Sequence, residues 1–171
     1  MGFTVYYQST TAIPPITRLA VSATAGEMCE GYTWLTCDPV SFFSTDGTGH
    51  MIGGVKSKFR RHPDDIAEAT SENLPNGTIT DALDILCELS RQFDIEWEFS
   101  HDHKPGPIGT IRHGYVDQEL QNRIEGIAHA SQIFASIDGD QEYDGQLPAP
   151  EKADDEDDGP RILKFGPVDK S

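Results

Sequence analysis

His101-Asp102-His103 brings two imidazoles into metal-ligand spacing. On an extended backbone, residues two apart share a face, so both rings can reach one divalent ion, with Asp102, His50 or His113 completing a nitrogen and oxygen donor set suited to zinc. The chemistry of such a centre would be metal-assisted, hydrolytic catalysis. The tripeptide also stands directly before Lys104-Pro105-Gly106-Pro107, a turn signal, and reads more simply as hydrogen-bonded or solvated polar punctuation at a strand end.

Charge makes the second constellation. Four of the nine Lys and Arg residues in the first 137 positions fall in Lys56-Ser57-Lys58-Phe59-Arg60-Arg61-His62, while Asp154 to Asp158 is an unbroken acidic run. Lys56, Lys58 and Arg60 alternate along an extended segment and can grip an anion. Tyr6 offers a stacking plate, and Glu96 and Glu98 supply an acidic counterpart. Sheet-based nucleic-acid readers use such a geometry. Against that partner, the first 137 residues hold eighteen acidic side chains to nine basic ones, the chain carries a net charge of −16, and no aromatic RNP pattern occurs. The bland alternative is a solvated face laced with weak cross-strand ion pairs.

Other catalytic patterns are missing from the sequence. There is no Gly-x-Ser-x-Gly elbow, and Gly47-Thr48-Gly49 lacks the spacing and following helix of a phosphate loop. Cys29, Cys37 and Cys87 show no close pairing and read as core thiols, so a disulfide framework is not expected and a reduced cytoplasmic setting is. The N-terminus lacks the basic and apolar regions of a leader, and no stretch approaches the roughly 20 apolar residues that span a bilayer. No membrane association and no obligatory cofactor are expected.

The elements that must position these residues follow from periodicity. Phe3, Val5 and Tyr7 alternate with Thr4, Tyr6 and Gln8, which predicts a strand over Gly2 to Ser9. Pro14-Pro15 opens a helix whose expected buried positions are Ile16, Leu19, Ala20, Ala23 and Met28, stopped at Gly31. Tyr32 to Phe43 and Met51 to Phe59 read as a hairpin, with Pro39 demanding an edge position and Gly53-Gly54 a bulge. Asn76-Gly77-Thr78 reads as a turn into a helix, with Thr78 and Asp81 forming a capping-box variant and Ile79, Ala82, Leu83, Leu86, Leu89 and Phe93 recurring at helical spacing. Ile95 to Ser100 and Ile108 to His113 form a second hairpin. A last helix from Val116 to Ile137 carries Val116, Leu120, Ile124, Ile127, Ser131 and Phe134 on one stripe.

The expected architecture is α+β: a ferredoxin-like βαββαβ sandwich extended by a strand and helix to βαββαββα. Right-handed crossovers give the strand order fifth, fourth, first, third, second, which places the strand with Pro39 at an edge. Residues 1–137 form one domain. Residues 138–171, with eleven acidic and four basic side chains, form a tail expected to be disordered. Arg161 to Phe165 within it alternates enough to serve as a recognition segment or an added strand, and the acidic tail can also compete with a polyanion for Lys56, Lys58, Arg60 and Arg61.

The expected function is a small non-enzymatic interaction or regulatory module that holds a protein or peptide on its open sheet face or an edge strand, with homodimerisation a further option. Tyr6, Lys56, Lys58, Arg60, Glu96 and Glu98 are the candidate binding residues. The alternative is the metal-assisted enzyme centred on His101, Asp102 and His103.

Overall fold

Residues 2–43, 47–58 and 73–138 are described by a computed structural model of the chain. The elements are β1 (Gly2–Ser9), α1 (Pro15–Cys29), β2 (Phe42–Phe43), β3 (Ile52–Lys58), α2 (Ile79–Phe93), β4 (Trp97–His101), β5 (Lys104–Arg112), β6 (Tyr115–Val116) and α3 (Gln118–Asp138). All strands join one antiparallel sheet in the order β2-β3-β1-β4-β5-β6. The α+β class and the order of the first five strands are as read from the sequence. β6 was not anticipated: Val116, assigned to the last helix, instead pairs with Ile111. Arg60, the acidic run and Arg161 to Phe165 lie outside the described residues.

Side-chain alternation gives the sheet two unlike faces. Val5, Tyr7, Val55 and Phe99 meet Ile79, Leu83 and Leu86 of α2 and Ile124 of α3 on the covered face. Trp97, buried beneath them, stacks on Phe42 at 5.6 Å and takes Tyr7 edge-on at 6.1 Å. The Tyr7 hydroxyl donates to the Ser41 carbonyl at 2.7 Å and accepts the Ser41 N–H at 3.1 Å, tying β1 to the chain entering β2. Burial drives its phenol well above the ordinary range, so it stays protonated.

The second hairpin arm departs from expectation for a physical reason. Thr33 N–H donates to the Pro75 carbonyl, Gly77 N–H to the Thr33 carbonyl, and Leu35 N–H to the Asn76 side chain. The backbone of Thr33 to Leu35 is therefore committed to the Asn76-Gly77 turn, and only Phe42–Phe43 joins the sheet as a strand. Gly77 accommodates the Trp34 ring, which a β-carbon would approach to 2.6 Å. Gly53 and Gly54 form no bulge, since the β1–β3 register runs unbroken through them. A β-carbon on Gly53 would sit 2.3 Å from the Tyr7 ring, so that glycine is required by packing. The bulge lies instead between Phe99 and His101, where β4 meets β5.

α2 forms as its pattern dictates. Thr78 and Asp81 make the reciprocal capping box, and Asp94 ends the helix in the left-handed conformation. α1 does not follow its pattern: Val21, Ala25 and Cys29 are buried, whereas Ile16, Leu19, Ala20 and Ala23 face solvent. α3 lies against β5, α2 and β3 through Leu120, Ile124 and Ile127, and Ser131 meets Ser57 at 2.8 Å. It thus covers the sheet at the His101 end. Asp117 caps α3 by accepting the Leu120 N–H at 2.9 Å while also binding the N–H and hydroxyl of Thr110 on β5.

Candidate functional site

Pairing of β3 with β1, and of β1 with β4, brings Lys56, Lys58, Tyr6 and Glu98 onto one uncovered face. Tyr6 stands opposite Gly54 on one side and Ser100 on the other, and retains 38% exposure. Gly54 leaves the space its ring occupies, because a β-carbon there would lie 3.2 Å from Tyr6 Cδ1. Phe43 lies on the same face, opposite Ile52. None of these three apolar neighbours of Tyr6, Phe43, Ile52 and Gly54, figured among the sequence candidates. The Phe42-Phe43 pair beside a turn was the available signal.

Charges on this face are offset along the strands as well as across them. Lys56 is level with Thr4, whereas Glu98 is level with Gln8. Four residues of β1 separate those levels, about 13 Å at 3.3 Å per residue. The basic and acidic positions therefore lie diagonally across the face, with Tyr6 between them. Lys58 turns to Asp38 at 3.0 Å and Glu96 to Arg112 at 2.8 Å. Both pairs are partly exposed and worth little individually. Among the described residues, Lys56 and Glu98 make no ion pair, so these two are the face's available charges.

His101 and His103 lie elsewhere, at the end of the sheet and on the covered side. Both rings pack on Phe3, at 5.0 and 5.3 Å between centroids, and their own centroids are 6.4 Å apart. His101 Nδ1 accepts the His103 N–H at 3.0 Å. Asp102 accepts the Thr4 N–H at 3.3 Å and approaches His103 Nε2 at 3.6 Å. These contacts are those of a hydrogen-bonded strand end. His50, whose Nδ1 donates to the Ser9 carbonyl at 2.8 Å, and His113, paired with Asp94 at 3.2 Å, sit at the opposite end of β1 and β4. They are too distant to complete a set with His101. Among the described residues, no group of three or more His, Cys, Asp and Glu side chains is placed to hold a metal ion.

The three thiols are buried, and desolvation raises each of them, Cys37 to about 12 and Cys87 to about 11. Neighbouring carboxylates add to the rise at Cys37 and Cys87. All three are protonated at neutral pH and poor nucleophiles. No described helix is long and apolar enough to cross a membrane. Comparison with protein-family models, with curated proteins and with solved structures finds no match to this chain.

Proposed function

We propose that the chain is a small cytoplasmic, non-enzymatic interaction module that holds a protein or peptide on its open sheet face. The observation that carries this reading is the uncovered face itself, where exposed Tyr6 stands between unpaired Lys56 and Glu98. A half-exposed aromatic between opposite charges supplies both the contact area and the orientation that protein recognition uses. The strand order β4-β1-β3-β2, with α1 and α2 as the intervening helices, supports naming the first six elements a ferredoxin-like split βαβ. That name concerns architecture and carries no activity with it.

The test is affinity capture with the full chain, run beside a Tyr6→Ser, Lys56→Glu, Glu98→Lys variant. These positions are at the surface, so the variant keeps its fold and melting temperature. Proteins retained by the natural chain are expected to be lost from the variant, and the same pair should differ in a direct titration with the purified partner. An identical retained set from both would remove this face from recognition. A measured turnover on a substrate panel would remove the non-enzymatic reading.

A further inference from the structure

Seven large hydrophobic side chains are exposed among the described residues, and four of them, Ile16, Leu19, Phe43 and Tyr6, lie in one band. Ile16 and Leu19 sit one turn apart on the outer side of α1, 79% and 73% exposed. A cavity of about 420 Å³ joins Leu19 to the β2 edge, lined also by Phe42, Phe43, Met51 and Arg18. Phe43 and Tyr6 then flank Gly54, whose β-carbon would lie 3.5 Å from one ring and 3.2 Å from the other. The band thus runs from the covered side, around the rim of β2, onto the open face. A contiguous exposed apolar surface of this kind marks a docking site.

We propose that this band receives an extended segment of a partner protein, laid along β2, with apolar side chains at alternate positions and acidic residues flanking them. The inference rests on the binding-module reading and names the surface and the partner chemistry. β2 ends the sheet and pairs only with β3, so its outer rim is available to another strand. A strand added there sends successive side chains to opposite faces. One set would meet Phe43, Ile52 and Tyr6, and the other Leu19 and the cavity floor. Apolar surface on both sides of one rim matches that two-sided demand.

Charge selects among occupants. Arg18 borders the cavity and Lys56 lies two residues from Gly54, so the band has cationic borders on a chain of net charge −16. Acidic flanks complement those borders. A second copy of this chain would bring the same large negative charge and be repelled.

A displayed library of random linear peptides, selected against the full chain and followed by anisotropy titration of the enriched sequences, tests the proposal. Enrichment of alternating apolar residues with Asp or Glu flanks is expected. Leu19→Glu and Phe43→Glu should each weaken the selected peptides at least about tenfold, with unchanged circular dichroism. Peptides indifferent to both substitutions but weakened by Glu98→Lys or Lys58→Glu would overturn this surface and leave the binding-module reading standing. Failure to enrich any peptide, or indifference to all four substitutions, would overturn both. A dimer seen in sedimentation and dissolved by Leu19→Glu would give the band to a second copy and overturn the peptide occupant.

Discussion

α1 and α2 are helices of fifteen residues each, and their sequences promise similar burial, yet only α2 delivers it. α2 begins with a complete capping box and buries Ile79, Ala82, Leu83, Leu86 and Leu89. α1 has no side-chain cap and no charged residue placed to offset its dipole, and it buries only Val21, Ala25 and Cys29. The inward stripe of α1 is the smaller of its two apolar stripes, and the larger, Ile16 and Leu19, looks outward. Small side chains let α1 lie closely beside α2, its main helical neighbour. Amphipathic periodicity therefore identifies a buried face when the opposite face is charged, as in α2, and cannot choose between two stripes when the helix is mostly uncharged, as in α1.

Truncating each helix puts the largest number on this difference. Leu89 is fully buried under the sheet. Leu89→Ala is expected to lower the unfolding free energy by about 2–5 kcal/mol, as large-to-small core changes do, read from urea titration with an unchanged slope. A loss below about 1 kcal/mol would mean that α2 is not the principal core helix, and the contrast with α1 would collapse.

Much of the fold was legible because several signals were local. The alternation around Trp97 placed Glu98 outside and Phe99 inside, as observed, and the Thr78-Asp81 spacing announced its helix start. Tyr6, Lys56 and Glu98 fell on one face for the same reason, since parity is a property of each strand alone. Register is not. The diagonal offset of Lys56 and Glu98, the ion pairs that engage Lys58 and Glu96, and the use of Thr33 to Leu35 by the Asn76 turn all depend on which residues meet across long separations. Gly53-Gly54 looked like a bulge because glycine in a strand has two explanations, and the Tyr7 ring that decides between them lies far off in sequence. The apolar band was hidden for the matching reason: Phe43, Leu19 and Tyr6 belong to three different elements.

α3 sharpens the comparison by combining a buried stripe with a cap held by tertiary contacts. Asp117→Ala removes that cap and its bonds to Thr110, at a cost of about 1 kcal/mol. Desolvation pushes the Asp117 carboxyl upward, but hydrogen bonds from Leu120, Thr110 and Glu119 outweigh it and hold the group below the ordinary carboxylate range. A group depressed in the folded state contributes stability above its unfolded pKa and loses it as pH falls through the folded value. The natural chain should therefore lose stability from about pH 4 downward more steeply than Asp117→Ala, in urea midpoints taken across the acid range. Parallel acid limbs would show that Asp117 does not couple β5 to α3.

The smallest effect is the most telling about α1. Ile16→Ser and Leu19→Ser replace apolar side chains that are largely exposed, so each should change the unfolding free energy by no more than about 0.5 kcal/mol. Val21→Ser on the same helix, a fully buried position, serves as the internal control and should cost several times more by burying an unpaired hydroxyl and opening a void. Equal costs at Leu19 and Val21 would show both stripes of α1 to be packed, and would close the band at the β2 rim to any partner. A near-zero cost at Leu19 beside a large one at Val21 leaves a helix whose bigger apolar stripe contributes nothing to its own fold, which is the arrangement expected of a surface kept for contact with something else.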